Sequence, residues 1–378
     1  MIMAKIHIFI CGGHFSPAIA IIEELAKESN LKIYYLGRKY SQEKDKTLSL
    51  EYKEITRNNL EFLFLTTGRL SRFISWESLI SLFKLPIGFL QSLNYMIKYK
   101  PKLIISFGSY VALPVCFIGY LFGIPVITHE QTRIMGLSNR LISLIASFVC
   151  LTYSDTKKVP RGLKTITTGI PLRDSILNPD NTGITKFGNI KQPLIYITGG
   201  SLGSTSINSV ITKIVPDLLK KYRLFHVCGE SLKKYDYHRL SKLRMGFDAK
   251  LRDNYYITPV LDYQKVGEVL KTADLIIGRS GANTIAEIAF HKKKAILIPL
   301  PWGGKNEQLE NALYLKEIGI SEIIEQKNLN PIILQEKITD MLETYKDINN
   351  KYLSVNWFTQ GKEKLAGLIK YQLNSLKE

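Results

Sequence analysis

The residues best suited to chemistry in this chain lie between Ala273 and Asn311. An apolar run ending Leu275-Ile276-Ile277-Gly278 is followed by Arg279-Ser280-Gly281-Ala282-Asn283-Thr284-Ile285-Ala286-Glu287, and later by Gln308-Leu309-Glu310-Asn311. A strand that stops at small residues where a helix begins offers free amide N–H groups to an anion, which is how a doubly wound sheet holds a nucleotide. Ser280, Gly281 and the first helical amides would then face phosphate. Glu287, one turn into the helix, would accept hydrogen bonds from a ribose diol. The same residues also fit a plain strand-to-helix turn capped by Ser280 or Asn283, with Glu287 a solvated first-turn acid that favours the helix dipole.

Three further groups carry chemical potential. Cys11-Gly12-Gly13-His14-Phe15-Ser16-Pro17 opens the first helix, and His14 there is either a helix-start capping group or a cleft residue able to take a proton or position a diphosphate. His129-Glu130-Gln131-Thr132 follows a strand and precedes Gly136-Leu137-Ser138-Asn139. Gly199-Gly200-Ser201-Leu202-Gly203 closes another strand. No Asp-x-Asp occurs, so a metal-bridged diphosphate has no obvious ligands and no cofactor is expected. Leaving-group charge would instead be met by helix dipoles, amides and basic side chains.

These groups need sheets to hold them. Strand-like runs alternate with helical ones, at Ile6 to Ile10, Lys32 to Leu36, Phe62 to Leu65, Leu103 to Phe107 and Val126 to Thr128. A second series runs through Leu194 to Thr198, Leu224 to Val227, Tyr255 to Ile257, Asp274 to Ile277 and Ala295 to Pro299. Such alternation predicts α/β architecture with parallel sheets covered on both faces. The 378 residues suit two domains, 1–168 and 169–354, joined through a stretch rich in Gly, Pro, Asn and Asp, with a last helix within 355–378 returning to the first domain. Leu103 to Thr128 carries no charge over a length that could cross a bilayer. Gly108, Pro114, Gly119 and Gly123-Ile124-Pro125 break it into strand, helix and strand.

Composition narrows the class. The cysteines Cys11, Cys116, Cys150 and Cys228 lack zinc or dithiol spacing and fit reduced core thiols. Met1 to Phe9 is too short and too soon broken for a secretory signal. The net charge of +18 invites a polyanionic partner, but the cations are scattered without recognition-helix spacing, so nucleic acid is not expected.

In this order, the four motifs resemble those of the MurG family, which transfers N-acetylglucosamine from UDP to the undecaprenyl-linked muramyl pentapeptide of lipid I. The resemblance also covers Ser106-Phe107-Gly108-Ser109-Tyr110-Val111 and Gly169-Ile170-Pro171-Leu172-Arg173. It implies a GT-B glycosyltransferase, two Rossmann-like domains facing across a cleft, making lipid II by inverting transfer. It further implies that Ser201 meets the UDP phosphates, that Arg173 contacts the donor and that Leu261 lies beside uracil. Ala282, Asn283, Thr284, Ile285, Ala286 and Glu287 match the uridine and ribose segment, and Gln308 and Asn311 the sugar-contacting positions. Cys11, Gly12, Gly13 and Thr132 fall at substrate-binding positions, with His14 the candidate general base and Glu130 a second candidate.

Two departures stand out. The family's first loop carries two glycine pairs around a threonine, whereas Phe9-Ile10 precede Cys11-Gly12-Gly13 here, which implies a shortened or rebuilt loop. Thr132 stands where the family has asparagine and cannot present an amide, so a donor contact is altered or lost.

A membrane-bound acceptor implies docking on the cytoplasmic face of the plasma membrane, and other cell-wall synthesis proteins as partners. The stretch from Arg69 to Lys100 sets Trp76, Leu79, Ile80, Phe83, Ile87, Phe89 and Leu90 beside Arg72, Lys84, Lys98 and Lys100, a pattern that fits an anionic leaflet. The alternatives are a related enzyme with another lipid or polymer acceptor, and a non-catalytic nucleotide-sugar-binding protein.

Overall fold

Runs of Ile, Val, Leu and Phe build two wholly parallel sheets, because strands covered on both faces have no face to leave polar. The computed structural model describes residues 5–42, 47–66, 68, 85–200, 202–229, 236–301, 306–344 and 357–376. The chain divides into one unit of Met1–Arg173 with Thr359–Glu378, and a second of Asp174–Phe358.

In the first unit, β1 (Ile6–Gly12) and β2 (Leu31–Gly37) are followed by a short antiparallel pair, β3 (Tyr40–Gln42) and β4 (Thr47–Leu48). Then come β5 (Glu61–Phe64), β6 (Leu103–Phe107), β7 (Val126–Glu130), β8 (Phe148–Leu151) and β9 (Thr165–Thr167). The main sheet runs β5-β2-β1-β6-β7-β8-β9. The chain leaves β1 to one side and later returns on the other, so the strand order reverses between β1 and β6. Phe9, Leu36, Ile104, Val115 and Cys116 fill the core on one face.

In the second unit, β10 (Leu194–Thr198), β11 (Arg223–Val227), β12 (Tyr255–Thr258), β13 (Leu275–Gly278), β14 (Lys294–Leu297) and β15 (Ser321–Ile323) run in the order β12-β11-β10-β13-β14-β15. The reversal falls between β10 and β13. Helix Thr205–Lys221 buries Ile207, Ile211, Ile214, Val215 and Leu218 against Ile195, Ile197 and Ile277, at the spacing of one helical face. In each unit the glycine-bearing motif stands at the reversal, where the helices that follow the two flanking strands lie on opposite faces of the sheet and leave an open crevice.

Three expectations are settled by these elements. The uncharged stretch from Leu103 to Thr128 is β6, helix Ala112–Leu121 and the start of β7. No helix among the described residues is long and apolar enough to cross a membrane. Of the two ways in which the first loop could depart, shortened or rebuilt, the strand fits the first: Phe9 and Ile10 are fully buried within β1, which runs on to Gly12 and leaves one glycine pair at the turn.

The boundary expected after Thr168 lies after Arg173, because the chain as far as Arg173 is held by the first unit. Thr168 N–H donates to Leu151 O at 2.9 Å and Arg173 Nη1 donates to Ser16 Oγ at 2.8 Å. Helix Trp357–Ser375 crosses the boundary and belongs to that unit from Thr359 onward. A Cβ on its Gly361 would stand 2.3 Å from Ile170 O, so this glycine admits the linker backbone.

Candidate functional site

At the first reversal, the turns after β1 and β6 meet almost atom to atom. Gly13 N–H donates to Gly108 O at 3.2 Å. A Cβ on Gly12 would lie 2.8 Å from the Phe107 carbonyl carbon, and one on Gly13 2.7 Å from Ser109 Cβ. Any larger residue would push the turns apart. These glycines therefore shape the turn that carries His14.

His14 occupies the N-cap of helix Phe15–Leu25 but makes no capping hydrogen bond with its side chain. The simple capping role is thus not taken up. The ring is half-buried, and burial lowers its pKa while the nearby Glu130 charge opposes the shift. His14 is accordingly an imidazole kept neutral at the C-terminal end of the sheet, the form needed to accept a proton.

Glu130 is differently placed. Its Oε1 accepts from Thr132 N–H at 3.0 Å and lies 2.8 Å from Thr132 Oγ1. Its Oε2 accepts from Gly136 N–H at 3.0 Å and from Asn139 Nδ2 at 2.9 Å. A buried carboxylate whose two oxygens are both taken up by these donors orders the loop after β7. The geometry moves Glu130 from candidate base to a residue that fixes this loop. Thr132 is also turned inward and buried, with its hydroxyl 2.8 Å from both Glu130 Oε1 and Ile134 O, so it serves the same loop. Beside them His129 is fully buried, its Nε2–H donates to Gly169 O at 2.9 Å, and its pKa is lowered to about 4 by desolvation.

Cys11 is fully buried in β1, its side chain packed among core residues. Its thiol pKa is pushed up by Cys116 and by burial. Arg173 is buried against Ser16 within the first unit, whereas Leu261, the segment from Ala282 to Glu287, Gln308 and Asn311 belong to the second.

At the second reversal, the turn after β10 folds back on itself, with Gly203 N–H donating to Gly200 O at 3.0 Å. Ser204 caps helix Thr205–Lys221, which starts directly after this turn. From β13, Arg279 reaches the same place. Its Nη2 donates to Ser204 Oγ at 2.8 Å, Ser206 Oγ at 2.9 Å and Gln326 Oε1 at 2.7 Å, and its Nη1 to Ile298 O at 2.9 Å. All these acceptors are neutral. The guanidinium therefore brings net positive charge to the glycine turn, with burial lowering its pKa.

Helix Ala282–Phe290 begins at Gly281 with no side-chain cap. The amides of Ala282, Asn283 and Thr284 are thus left for an anion. Ser280 does not face a phosphate: it is fully buried and its Oγ donates to Gln308 O at 2.7 Å. Glu287 is buried in the helix, along with Ile285 and Ala286, and is not the solvated acid of the plainer reading. Leu261 is half-buried in the turn after β12. Gln308 Oε1 accepts from Leu300 N–H at 3.0 Å. Asn311 is fully buried, donates from Nδ2 to Ser280 O at 3.2 Å, and has no partner for its Oδ1 among the described residues.

Ser201 and the membrane-docking candidates Arg72, Trp76, Leu79, Ile80, Phe83 and Lys84 lie outside the described residues. Sequence reasoning missed the bracing roles of Asn139, Ser16 and Gln326. Asn139 and Ser16 stand inside quoted motifs, which was the available signal, whereas Gln326 is brought to Arg279 only by folding.

Two doubly wound units, each with a glycine turn at its strand-order reversal, define the GT-B class of nucleotide-sugar proteins. Residues 11–150 match the glycosyltransferase family 28 N-terminal domain and residues 194–366 its C-terminal domain. The chain is 32% identical over 351 residues to the UDP-N-acetylglucosamine--N-acetylmuramyl-(pentapeptide) pyrophosphoryl-undecaprenol N-acetylglucosamine transferase of Clostridium perfringens, covering 90% of this chain and 91% of that one. The Legionella pneumophila protein of the same name is 30% identical over 364 residues, covering 95% and 94%. This chain belongs to that family, the MurG glycosyltransferases.

Among solved structures, Acinetobacter baumannii MurG superposes with a TM-score of 0.67 at 23% identity, covering 97% of this chain and 100% of that one. The UDP-GlcNAc 2-epimerase of Neisseria meningitidis, bound to UDP-GlcNAc, superposes at 0.63 with 13% identity, covering 98% and 100%. An epimerase and a transferase share this fold, so the fold alone does not choose the reaction.

Proposed function

We propose that this protein transfers N-acetylglucosamine from UDP-GlcNAc to the 4-hydroxyl of the N-acetylmuramyl residue of lipid I, giving lipid II and UDP. The reading is carried by the glycine turn, the uncapped helix start and Arg279 together at the second reversal, in a chain related over nearly its whole length to transferases of that name. The N-terminal unit binds the acceptor and the C-terminal unit the donor.

The reaction is a single inverting displacement. As the acceptor hydroxyl attacks the anomeric carbon of the α-linked donor, His14 takes its proton and the bond to the UDP oxygen breaks. Charge on the departing diphosphate is met by the amides at the starts of helices Thr205–Lys221 and Ala282–Phe290 and by the Arg279 guanidinium. Glu287 accepts from the ribose hydroxyls, and Gln308 addresses the sugar from a helix start that buried Asn311 ties to Ser280. No metal enters this scheme, and undiminished turnover in EDTA is its check.

The protein docks on the anionic cytoplasmic face of the membrane that holds its acceptor. Helices Leu85–Tyr99 and Ala112–Leu121 pack together through Phe89 and Phe117, whose ring centroids are 5.8 Å apart. Outward they leave Leu90 66% and Leu121 63% exposed, with Ile87, Ile97, Tyr120 and Phe122 also exposed. Lys98, Lys100 and Lys102 stand exposed beside them. Apolar side chains among cations suit an anionic leaflet, where insertion and attraction add.

The deciding experiment incubates purified protein with labelled UDP-GlcNAc and either lipid I or diacylglycerol in mixed vesicles. Labelled disaccharide on lipid I supports the reading. Transfer only to diacylglycerol, or binding without transfer to either, overturns it.

A further inference from the structure

Behind the glycine turn of the second unit lies a chain of buried polar side chains that the proposed chemistry does not use. Tyr255 OH donates to His226 Nδ1 at 2.9 Å, and His226 Nε2–H donates to Asn208 Oδ1 at 3.0 Å. Asn208 Nδ2 then donates to Cys228 O at 2.9 Å and to Asp236 Oδ2 at 2.8 Å. Tyr255, His226 and Asn208 are all fully buried, and Asp236 nearly so. The donor directions fix one another. A carbonyl and a carboxylate both accept from the Asn208 amide group, so its Oδ1 must face His226, which must carry its proton on Nε2 and accept on Nδ1. Burial lowers the His226 pKa to about 3, which keeps the ring neutral and preserves this single pattern.

The chain ends at the atom against which the glycine turn rests. A Cβ on Gly203 would stand 2.1 Å from Cys228 O, and one on Gly229 2.3 Å from Gly203 Cα. The two backbones are stacked with no side chain between them, so the position of the Cys228 carbonyl sets the position of the turn. Asn208 is also in the first turn of the helix that Ser204 caps. One side chain thus joins the helix start, the end of β11 and the start of helix Asp236–Met245.

We propose that Asn208, His226 and Tyr255 are positioning residues that set the glycine turn, through the Cys228 carbonyl, at the height needed to hold a nucleotide diphosphate. Hydrogen bonds within such a buried chain hold geometry more than they add stability, because each member had equivalent partners in water. The proposal rests on the reading that the second unit binds the UDP donor.

Two variants and a double variant test it, with UDP binding followed by calorimetry and stability by thermal unfolding. Tyr255→Phe removes the first donor and keeps the ring in the core. The dissociation constant for UDP and the donor KM should rise together by about threefold to tenfold, while the acceptor KM stays fixed. Asn208→Asp takes the donor from both Cys228 O and Asp236, and should weaken UDP binding further as well as lower the melting temperature. Adding Asp236→Asn restores a donor between the two side chains but not one to Cys228 O. The double variant should therefore recover much of the melting temperature without recovering UDP affinity.

Wild-type UDP affinity in Tyr255→Phe, or affinity that recovers in step with melting temperature in the double variant, overturns the proposal. If Asn208→Asp does not fold, Tyr255→Phe decides alone. A wild-type protein that does not bind UDP overturns the donor reading itself, a distinct result.

Discussion

Asn139 Nδ2 donates at 2.9 Å to Oε2 of Glu130, and so ties the start of helix Leu137–Ile142 to the end of β7. The same amide nitrogen lies 3.1 Å from His129 O, and Asn139 Oδ1 accepts from Thr128 Oγ1 at 3.0 Å. One asparagine therefore binds three successive residues of the strand end beside His14. It also explains the space in front of it: a Cβ on Gly108 would meet Asn139 Nδ2 at 2.8 Å.

Glu130→Gln should lower stability, because an NH2 group would face donors where the carboxylate now accepts. Loss of charge-assisted hydrogen bonds in a buried site costs roughly 1.5–3 kcal/mol. Urea unfolding measures it. A variant as stable as the parent but inactive would return Glu130 to the list of proton acceptors.

Glu287→Ala should weaken UDP binding by about 10- to 150-fold, the equivalent of about 1.5–3 kcal/mol for a charged acceptor on the ribose diol. Calorimetry with UDP and with 2′,3′-dideoxy-UDP tests the assignment. The parent should prefer UDP and the variant should not distinguish the two.

His14→Ala should reduce turnover by ~10²–10⁴-fold with little change in UDP affinity. The pH profile follows from the direction of the His14 shift. With a folded-state pKa below the usual 6.5, the imidazole is neutral at pH 7 and gains its proton only on further acidification, so the acid limb of kcat/KM, which reports the unliganded protein, should lie below pH 6.5. The linkage has the same sign. An unfolded chain takes up that proton at higher pH than the folded one, so stability also declines as pH falls below about 6.5. The lowered pKa values of His129, His226 and His291 act in the same direction. Rates taken well below the melting temperature at each pH separate the two effects, and an acid limb retained in the small residual rate of His14→Ala would assign it to another group.

Replacing Leu90 and Leu121 with Gln should reduce sedimentation with phosphatidylglycerol vesicles at both low and high salt. Each removes a largely exposed apolar side chain, so the melting temperature should hardly move. Replacing Lys98 and Lys100 with Glu should reduce sedimentation mainly at low salt, since only that contribution is screened. Transfer to membrane-embedded acceptor should slow in both cases, while transfer to a short-chain soluble acceptor should not. Equal slowing with both acceptors would assign these residues to the fold.

The sequence by itself determined the two parallel sheets, their glycine turns and the family, because each is written in local patterns. Short apolar runs of four to seven residues, alternating with helical segments and bounded by turn residues, fit strands buried on both faces, and the breaks at Gly108, Pro114 and Gly123 denied a spanning helix to the uncharged stretch that β6, helix Ala112–Leu121 and β7 now share. What the sequence could not decide was the direction in which a polar side chain turns. Ser280 and Thr132 sat in binding motifs, yet Ser280 serves Gln308 O and Thr132 serves Glu130. Glu130 looked like a spare base until its donors were in place. Arg279 gained its role from Ser204, Ser206 and Gln326, and Cys228 O gained its own from Asn208 and Gly203. Those partners come from distant segments that only the closed sheet brings within hydrogen-bond reach, and desolvation then drives most buried polar atoms to take whichever partner the packing supplies.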